Sequence, residues 1–150
     1  GARLFHEGQF EGRRVRLPVF LRRRRDEVPD KSLQEFYKSL LQALRSKDLR
    51  EGEWTLCERT GWPDNDSYLN VVAWCWQQGA DRHLIVVNLS GARSQTMVRL
   101  PWGDLAGRSW RLSDPLQKTV YDRAGDDLQT AGFYADLEPW GYHVLHCESS

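Results

Sequence analysis

The sequence predicts a mainly β protein, an antiparallel Greek-key β-sandwich preceded by a short strand and one amphipathic helix. Three observations predict it. Only the stretch from Leu33 to Leu44 repeats its apolar residues at helical spacing. After Gly52 the pattern changes to short apolar runs separated by Gly, Pro, Asn and Asp clusters. The charge changes sign at the same place. Residues 1–50 hold 13 Lys+Arg against 7 Asp+Glu, a net +6, and residues 51–150 hold 8 against 14, a net −6. All seven tryptophans lie after residue 50. Two pieces are therefore expected, residues 1–50 and residues 51–150.

The elements follow in order. Residues 2–6 read as the short strand. Pro29 to Ser32 breaks the chain, and Ser32 with Glu35 forms a capping box that starts the helix. Leu33, Phe36, Tyr37, Leu40, Leu41 and Leu44 then make one apolar stripe on a helix ending near Ser46. The first thirty residues are too few to cover that stripe alone. Strands are expected at 54–57, 68–76, 83–89, 96–100, 109–112, 119–121, 133–137 and 142–147. Turn residues at Gly61–Asp66, Gln78–Asp81, Ser90-Gly91, Pro101–Gly103, Asp114-Pro115, Gly125–Asp127 and Pro139–Gly141 separate them. Such spacing favours a sandwich. The unbroken run from Leu84 to Val87 reads as a central strand covered on both faces.

Composition narrows the function classes. A chain of 150 residues, 40% hydrophobic and 28% charged, suits a soluble globular protein able to bury a core without staples. No apolar run approaches the roughly 20 residues that span a bilayer, so no membrane partner is expected. The run Arg22–Arg25 is closed by Asp26 and Glu27 and reads as a solvated loop; no nucleic-acid motif accompanies it. Cys57, Cys75 and Cys147 are odd in number and lack metal-type spacing, so they read as reduced and buried, which favours a cytoplasmic location. No cofactor is implied.

The candidate site residues each have a plainer alternative. His6, Glu7 and Gln9 share a glycine-flanked loop, where they suit acid–base work or holding a sugar hydroxyl; the alternative is a loop that bonds only its own backbone. Trp74 and Trp76 are two apart in a strand and share a face, as a stacking platform or as packing under a neighbouring element. Trp62, Trp102 and Trp140 stand beside Pro or Gly in turns and are the candidates for sugar stacking. His143 and His146, three apart in a strand, point to opposite faces and read as structural rather than as a metal pair. Asp64, Asp66, Asp126 and Asp127 read as turn acids. No metal site and no catalytic triad, phosphate loop or dinucleotide fingerprint is present.

Four stretches carry a resemblance. GARLFHEGQFEGR is similar to a Gly-x-Pro-x-x-x-x-Gly-(Gln/Asp)-Glu pattern: Gly1, Gly8 and Gln9 match, Ala2-Arg3 departs from x-Pro, and Phe10 stands where Glu is usual, with Glu11 one place later. SLQEFYKSLLQALRS resembles a helix with Phe-Tyr-x-x-Leu. HLIVVNLSG resembles an aliphatic strand ending in Val-Asn, and YDRAGDDLQTAGFYADLEPWGYHVLHCES a Leu-x-Pro-x-x-x-x-Val-Leu closing segment. In this order they resemble the C-terminal part of α-amylase family glycoside hydrolases, the end of a (β/α)8 barrel followed by the β-sandwich called domain C. The resemblance implies that residues 1–50 are the last barrel strand and helix, with His6, Glu7 and Gln9 at the substrate rim. It implies a partner, the N-terminal catalytic barrel of the same chain, whose fourth, fifth and seventh strands carry the catalytic carboxylates. The chain is then an accessory domain, not catalytic alone, of an enzyme acting on α-glucosidic bonds. The alternative is an α-glucan-binding module using exposed tryptophans.

Overall fold

A computed structural model describes residues 4–15, 20, 26–45 and 48–149. The chain divides into two compact units, Gly1–Arg45 and Ser46–Ser150.

The first unit is a turn region and a helix. Gly8 and Gly12 take positive φ, and Arg13 N–H donates to the Gly8 carbonyl at 3.0 Å, folding residues 7–12 into successive turns. Of the expected strand at 2–6, Leu4–His6 form no strand and residues 2 and 3 lie outside the described residues. A strand needs a neighbour to satisfy its backbone, and no ladder partner stands beside these residues in the described part of this unit. Residues 22–25 of the arginine run also lie outside the described residues. Helix α1 spans Lys31–Ala43. Its N-cap is Asp30 rather than Ser32: the Asp30 carboxylate accepts from Leu33 N–H at 3.0 Å, and Ser32 Oγ donates to that same carboxylate at 2.6 Å. Asp30 directly precedes the first helical residue, so its carboxylate reaches the third helical amide, that of Leu33, while Ser32 already lies inside the first turn. Phe10 meets Tyr37 edge-on at 5.0 Å and Phe5 at 5.0 Å, yet no residue of α1 is fully buried.

The second unit is an antiparallel β-sandwich. Its strands are β1 (Glu53–Leu56), β2 (Arg59–Thr60), β3 (Val71–Gln78), β4 (Asp81–Asn88), β5 (Ser94–Val98), β6 (Ser109–Asp114), β7 (Thr119–Ala124), β8 (Phe133–Leu137) and β9 (Tyr142–Ser149). One sheet has the order β1-β3-β4-β9-β6-β7 and the other β2-β5-β8, so the chain crosses repeatedly between them. Strand alternation explains the core. Val71, Ala73 and Cys75 of β3, Leu84 and Val86 of β4, Leu112 of β6 and Leu145 and Cys147 of β9 face inward, against Val98 of β5 and Phe133, Ala135 and Leu137 of β8. β4 is buried on both faces from Arg82 to Val86, as expected of a central strand.

Four short elements were not expected, the first being β2, which pairs with β5. Helix α2 (Asp48–Glu51) packs on β3 and β4, with Leu49 buried. Ser67–Asn70 is a 3-10 turn where the strand before Val71 was expected to begin; Asn65 Oδ1 accepts from Ser67 N–H at 3.0 Å and starts it. Helix α3 (Gly125–Thr130) replaces the expected turn at Gly125–Asp127. Asp126 and Asp127 lie in its first turn, where the helix dipole favours carboxylates, and Leu128 plugs the core. Gly125 is required by close approach, since a Cβ there would stand 1.7 Å from the Leu105 carbonyl oxygen.

Two buried polar groups tie the sandwich together. Asn88, 1% exposed, donates from Nδ2 to the carbonyls of Ala92 (2.7 Å) and Glu138 (3.0 Å), and its Oδ1 accepts from Ser90 N–H (3.1 Å) and Ser94 Oγ (3.2 Å). It thereby pins the β4–β5 turn to the end of β8. Asp114 accepts from Leu116 and Gln117 N–H at 2.9 and 3.0 Å, and its other oxygen meets Val144 N–H at 3.1 Å and His143 Nδ1 at 3.2 Å. His143 and His146 do lie on opposite faces: His143 faces Asp114, and His146 pairs across the strands with His83 at a ring distance of 4.9 Å.

Candidate functional site

In the first unit, the loop from His6 to Gln9 is held by its own bonds. Gln9 Nε2 donates to the Tyr37 hydroxyl at 3.0 Å, Gln9 Oε1 accepts from His6 N–H at 3.3 Å, and His6 Nδ1 lies 3.2 Å from the Glu7 carbonyl. The amide of Gln9 is therefore fixed against α1, while His6 and Glu7 remain exposed. The structure brings the three expected rim residues into one turn, with Tyr37 as a fourth polar group. Apolar periodicity places Tyr37 only on the helix stripe, because its hydroxyl carries no periodic signal.

In the second unit the turn tryptophans diverge. Trp62 is 39% exposed and Trp140 66%. Trp102 is 4% exposed and belongs to the core, so its expected exposure in the Pro101–Gly103 turn does not hold. The reason is Arg82. This side chain faces inward from β4, forms a bidentate pair with Asp104 at 2.7 and 2.8 Å, and lies over both indoles, 5.2 Å from Trp102 and 4.9 Å from Trp110. Trp110 Nε1 donates to the Leu105 carbonyl at 3.1 Å. The guanidinium and the two rings close one end of the sandwich. The bond from Arg82 holds the Asp104 carboxyl below the usual carboxylate range.

Around Trp62 the arrangement is different. Tyr134, 42% exposed, meets the Trp62 ring edge-on at 6.0 Å. Tyr134 and Asp136 alternate outward from β8, and Gln95 does so from β5, opposite Asp136. Gln95 Nε2 donates to the Tyr134 hydroxyl at 3.0 Å and to Asp136 at 3.2 Å, while Asn65 Nδ2 donates to Gln95 Oε1 at 2.9 Å. Arg93 grips Asp136 bidentately at 2.8 and 2.7 Å, and that bond depresses the Asp136 pKa. An open aromatic pair thus stands beside a rigid line of planar polar groups on the outer face of the three-stranded sheet. Apolar rings that pack against C–H faces and fixed amide and carboxylate groups that bind hydroxyls are the chemistry a sugar needs. Sequence reasoning named Trp62 but missed Tyr134, Gln95, Arg93 and Asp136. The signal available was the alternation Tyr134, Asp136 against Gln95; the pairing of β5 with β8 was not.

Trp74 and Trp76 share the outer face of the six-stranded sheet, as expected. Trp76 pairs with Trp54 of β1 and His83 of β4, and Trp74 with Leu56 and Ile85. Both are half-buried, whereas Trp54 and Leu56 are exposed. Among the described residues, no three His, Cys, Asp or Glu side chains converge as a metal would require, and no helix is long and apolar enough to cross a membrane.

These features define a β-sandwich module with an aromatic outer surface, following a helix-bearing segment. Its fold is shared with α-amylases. Over 95% of its length the chain superposes on 32% of a noncanonic maltogenic alpha-amylase, AmyB, of Thermotoga neapolitana, with a TM-score of 0.70 at 12% identity. Over 81% it superposes on 24% of an Anoxybacillus alpha-amylase, with a TM-score of 0.58 at 15% identity. The chain therefore spans a third or less of the length of these enzymes. No protein-family profile matches it, and no curated protein matches it in sequence.

Proposed function

We propose that this chain is the C-terminal accessory part of an α-amylase-like enzyme that acts on α-glucosidic bonds, and that it is not catalytic alone. The observation that carries the reading is the shared fold, which accounts for nearly all of this chain and a minor part of AmyB. On this reading the segment 1–50 is the last strand and helix of a (β/α)8 barrel, His6, Glu7 and Gln9 stand at the rim of its substrate cleft, and residues 51–150 are domain C. Its partner is the catalytic barrel of the same polypeptide, which supplies the carboxylates that cleave the glycosidic bond. The half-buried stripe of α1 supports this, because a barrel helix is completed by neighbouring barrel elements. Incubating the chain with maltoheptaose and measuring reducing ends tests the assignment. No release is expected; turnover that survives purification and follows the chain would overturn it.

A second reading is favoured by the surface around Trp62. There the domain binds α-glucan through Trp62 and Tyr134, with Gln95 and Asp136 taking hydroxyls. An NMR titration with maltoheptaose, following the seven indole N–H signals, tests it. Saturable shifts at Trp62 with none at buried Trp102 and Trp110 are expected. Unchanged spectra would leave the domain as a scaffold.

A further inference from the structure

Cys57 and Cys75 stand closer than any packing role requires. β1 pairs with β3 in a register that sets Thr55 opposite Cys75, and Cys57 N–H continues the ladder by donating to the Ala73 carbonyl at 2.9 Å. The two cysteines are thus diagonal neighbours on the core side of the sheet. Their Sγ atoms are 3.2 Å apart. A disulfide needs about 2.0 Å, so closure asks for an approach of about 1 Å, within the reach of small side-chain and backbone adjustments.

Both cysteines are buried, Cys57 4% and Cys75 1% exposed, and each borders a surface cleft. A cleft of about 540 Å³ is lined by Leu56, Cys57, Glu58, Arg59 and Thr60. A smaller one of about 100 Å³ is bounded by Cys75, Thr55 and Trp102. The thiols also differ in chemistry. Donation from Cys75 pulls the Cys57 pKa down against its burial, and the same bond pushes Cys75 up. With Cys75 as the donor, Cys57 carries the thiolate character of the pair. Cys147 has no such partner geometry, and burial pushes its pKa up to about 12.

We propose that Cys57 and Cys75 form a peroxide-responsive thiol pair that closes to a disulfide and staples β1 to β3. Cys57 Sγ attacks one oxygen of hydrogen peroxide; the O–O bond breaks, Cys57 becomes a sulfenic acid and one water leaves. Cys75 Sγ then attacks the Cys57 sulfur, the S–O bond breaks, and the hydroxyl leaves with the Cys75 proton as a second water. Two thiols are oxidised to one disulfide while one peroxide is reduced to two waters. The reduced pair leaves β1 joined to β3 by a ladder of four residues; the oxidised pair adds a covalent tie at the end of that ladder.

The test is peroxide treatment of the folded full chain, followed by alkylation and peptide mapping. A Cys57–Cys75 cross-link with Cys147 alkylated is expected, reversible by dithiothreitol and accompanied by slower hydrogen exchange of the β1 amides. Recovery of all three cysteines alkylated, a cross-link to Cys147, or a link that forms only in denaturant would overturn it. Cys147→Ser should keep the cross-link. Cys75→Ser should stop at a Cys57 sulfenic acid that a dimedone probe labels; absence of label in that folded variant would also overturn the proposal.

Discussion

The two units use apolar residues in opposite ways. In Gly1–Arg45 the helix α1 has a well-formed stripe, yet none of its residues is fully buried, and Leu4, Phe20 and Val28 are almost wholly exposed. In Ser46–Ser150 both sheets contribute to one continuous core in which Leu84, Val98, Phe133 and Leu145 are 0 to 1% exposed. Amphipathicity alone makes a helix possible; a second apolar layer makes a fold stable. The sandwich has its second layer, and the stripe of α1 has only part of one.

Core truncation should separate the units most sharply. Leu84→Ala is expected to cost about 2–5 kcal/mol, whereas Leu40→Ala in half-buried α1 should cost well below that range, as read by denaturant unfolding. Equal losses would mean that α1 has a complete core after all. Next comes Gly125→Ala. Its Cβ would collide with the Leu105 backbone, and a loss of about 1–3 kcal/mol is expected; an unchanged midpoint would show that the start of α3 relaxes freely. Asn88→Ala removes the bonds that join β4, β5 and β8, and about 1–3 kcal/mol should be lost because buried carbonyls are left without their donor.

Acid should act on the sandwich before reaching the smallest effects. Burial works to raise the Asp114 pKa, but the His143 ring and the amides of Gln117, Val144 and Leu116 outweigh it and hold the carboxyl below its usual value. A depressed folded pKa means that the stabilisation is present above the unfolded value near 3.9 and is lost as pH falls through the folded one. Asp104 and Asp136, held down by Arg82 and Arg93, have the same sign. Thermal melts should therefore be flat from neutrality to about pH 5 and drop below about pH 4; Asp114→Asn should shrink that drop. Trp62→Ala should move stability least, within about 0.5 kcal/mol for an exposed position. Its use is to sharpen the glucan reading: the variant should lose any maltoheptaose-induced shifts at unchanged fold.

Much of the architecture was legible in the sequence. The alternation of β3 put Trp74 and Trp76 on one face and Val71, Ala73 and Cys75 on the other, and the unbroken run in β4 marked a strand covered on both sides. The helix stripe, the opposite directions of His143 and His146 and most turn positions followed from the same periodicities. Local chemistry of nearly equal strength blurred the rest: Asp30 outcompeted Ser32 as the cap, and the residues Gly125–Thr130 closed into a helix because Leu128 had a core to enter.

By itself, the sequence determined which side chains share a face, since strand and helix periods depend only on neighbours along the chain. Only the tertiary structure decided what covers each face. It placed Arg82 over Trp102 and against Asp104, and left Trp62 open beside Tyr134. It set Gln95 against Asp136 across two strands, and brought Cys57 to within 3.2 Å of Cys75. Each of these pairs joins residues 18 to 72 positions apart. Their proximity depends on which strands become neighbours, and that is settled by burial of the whole core rather than by any local run of residues.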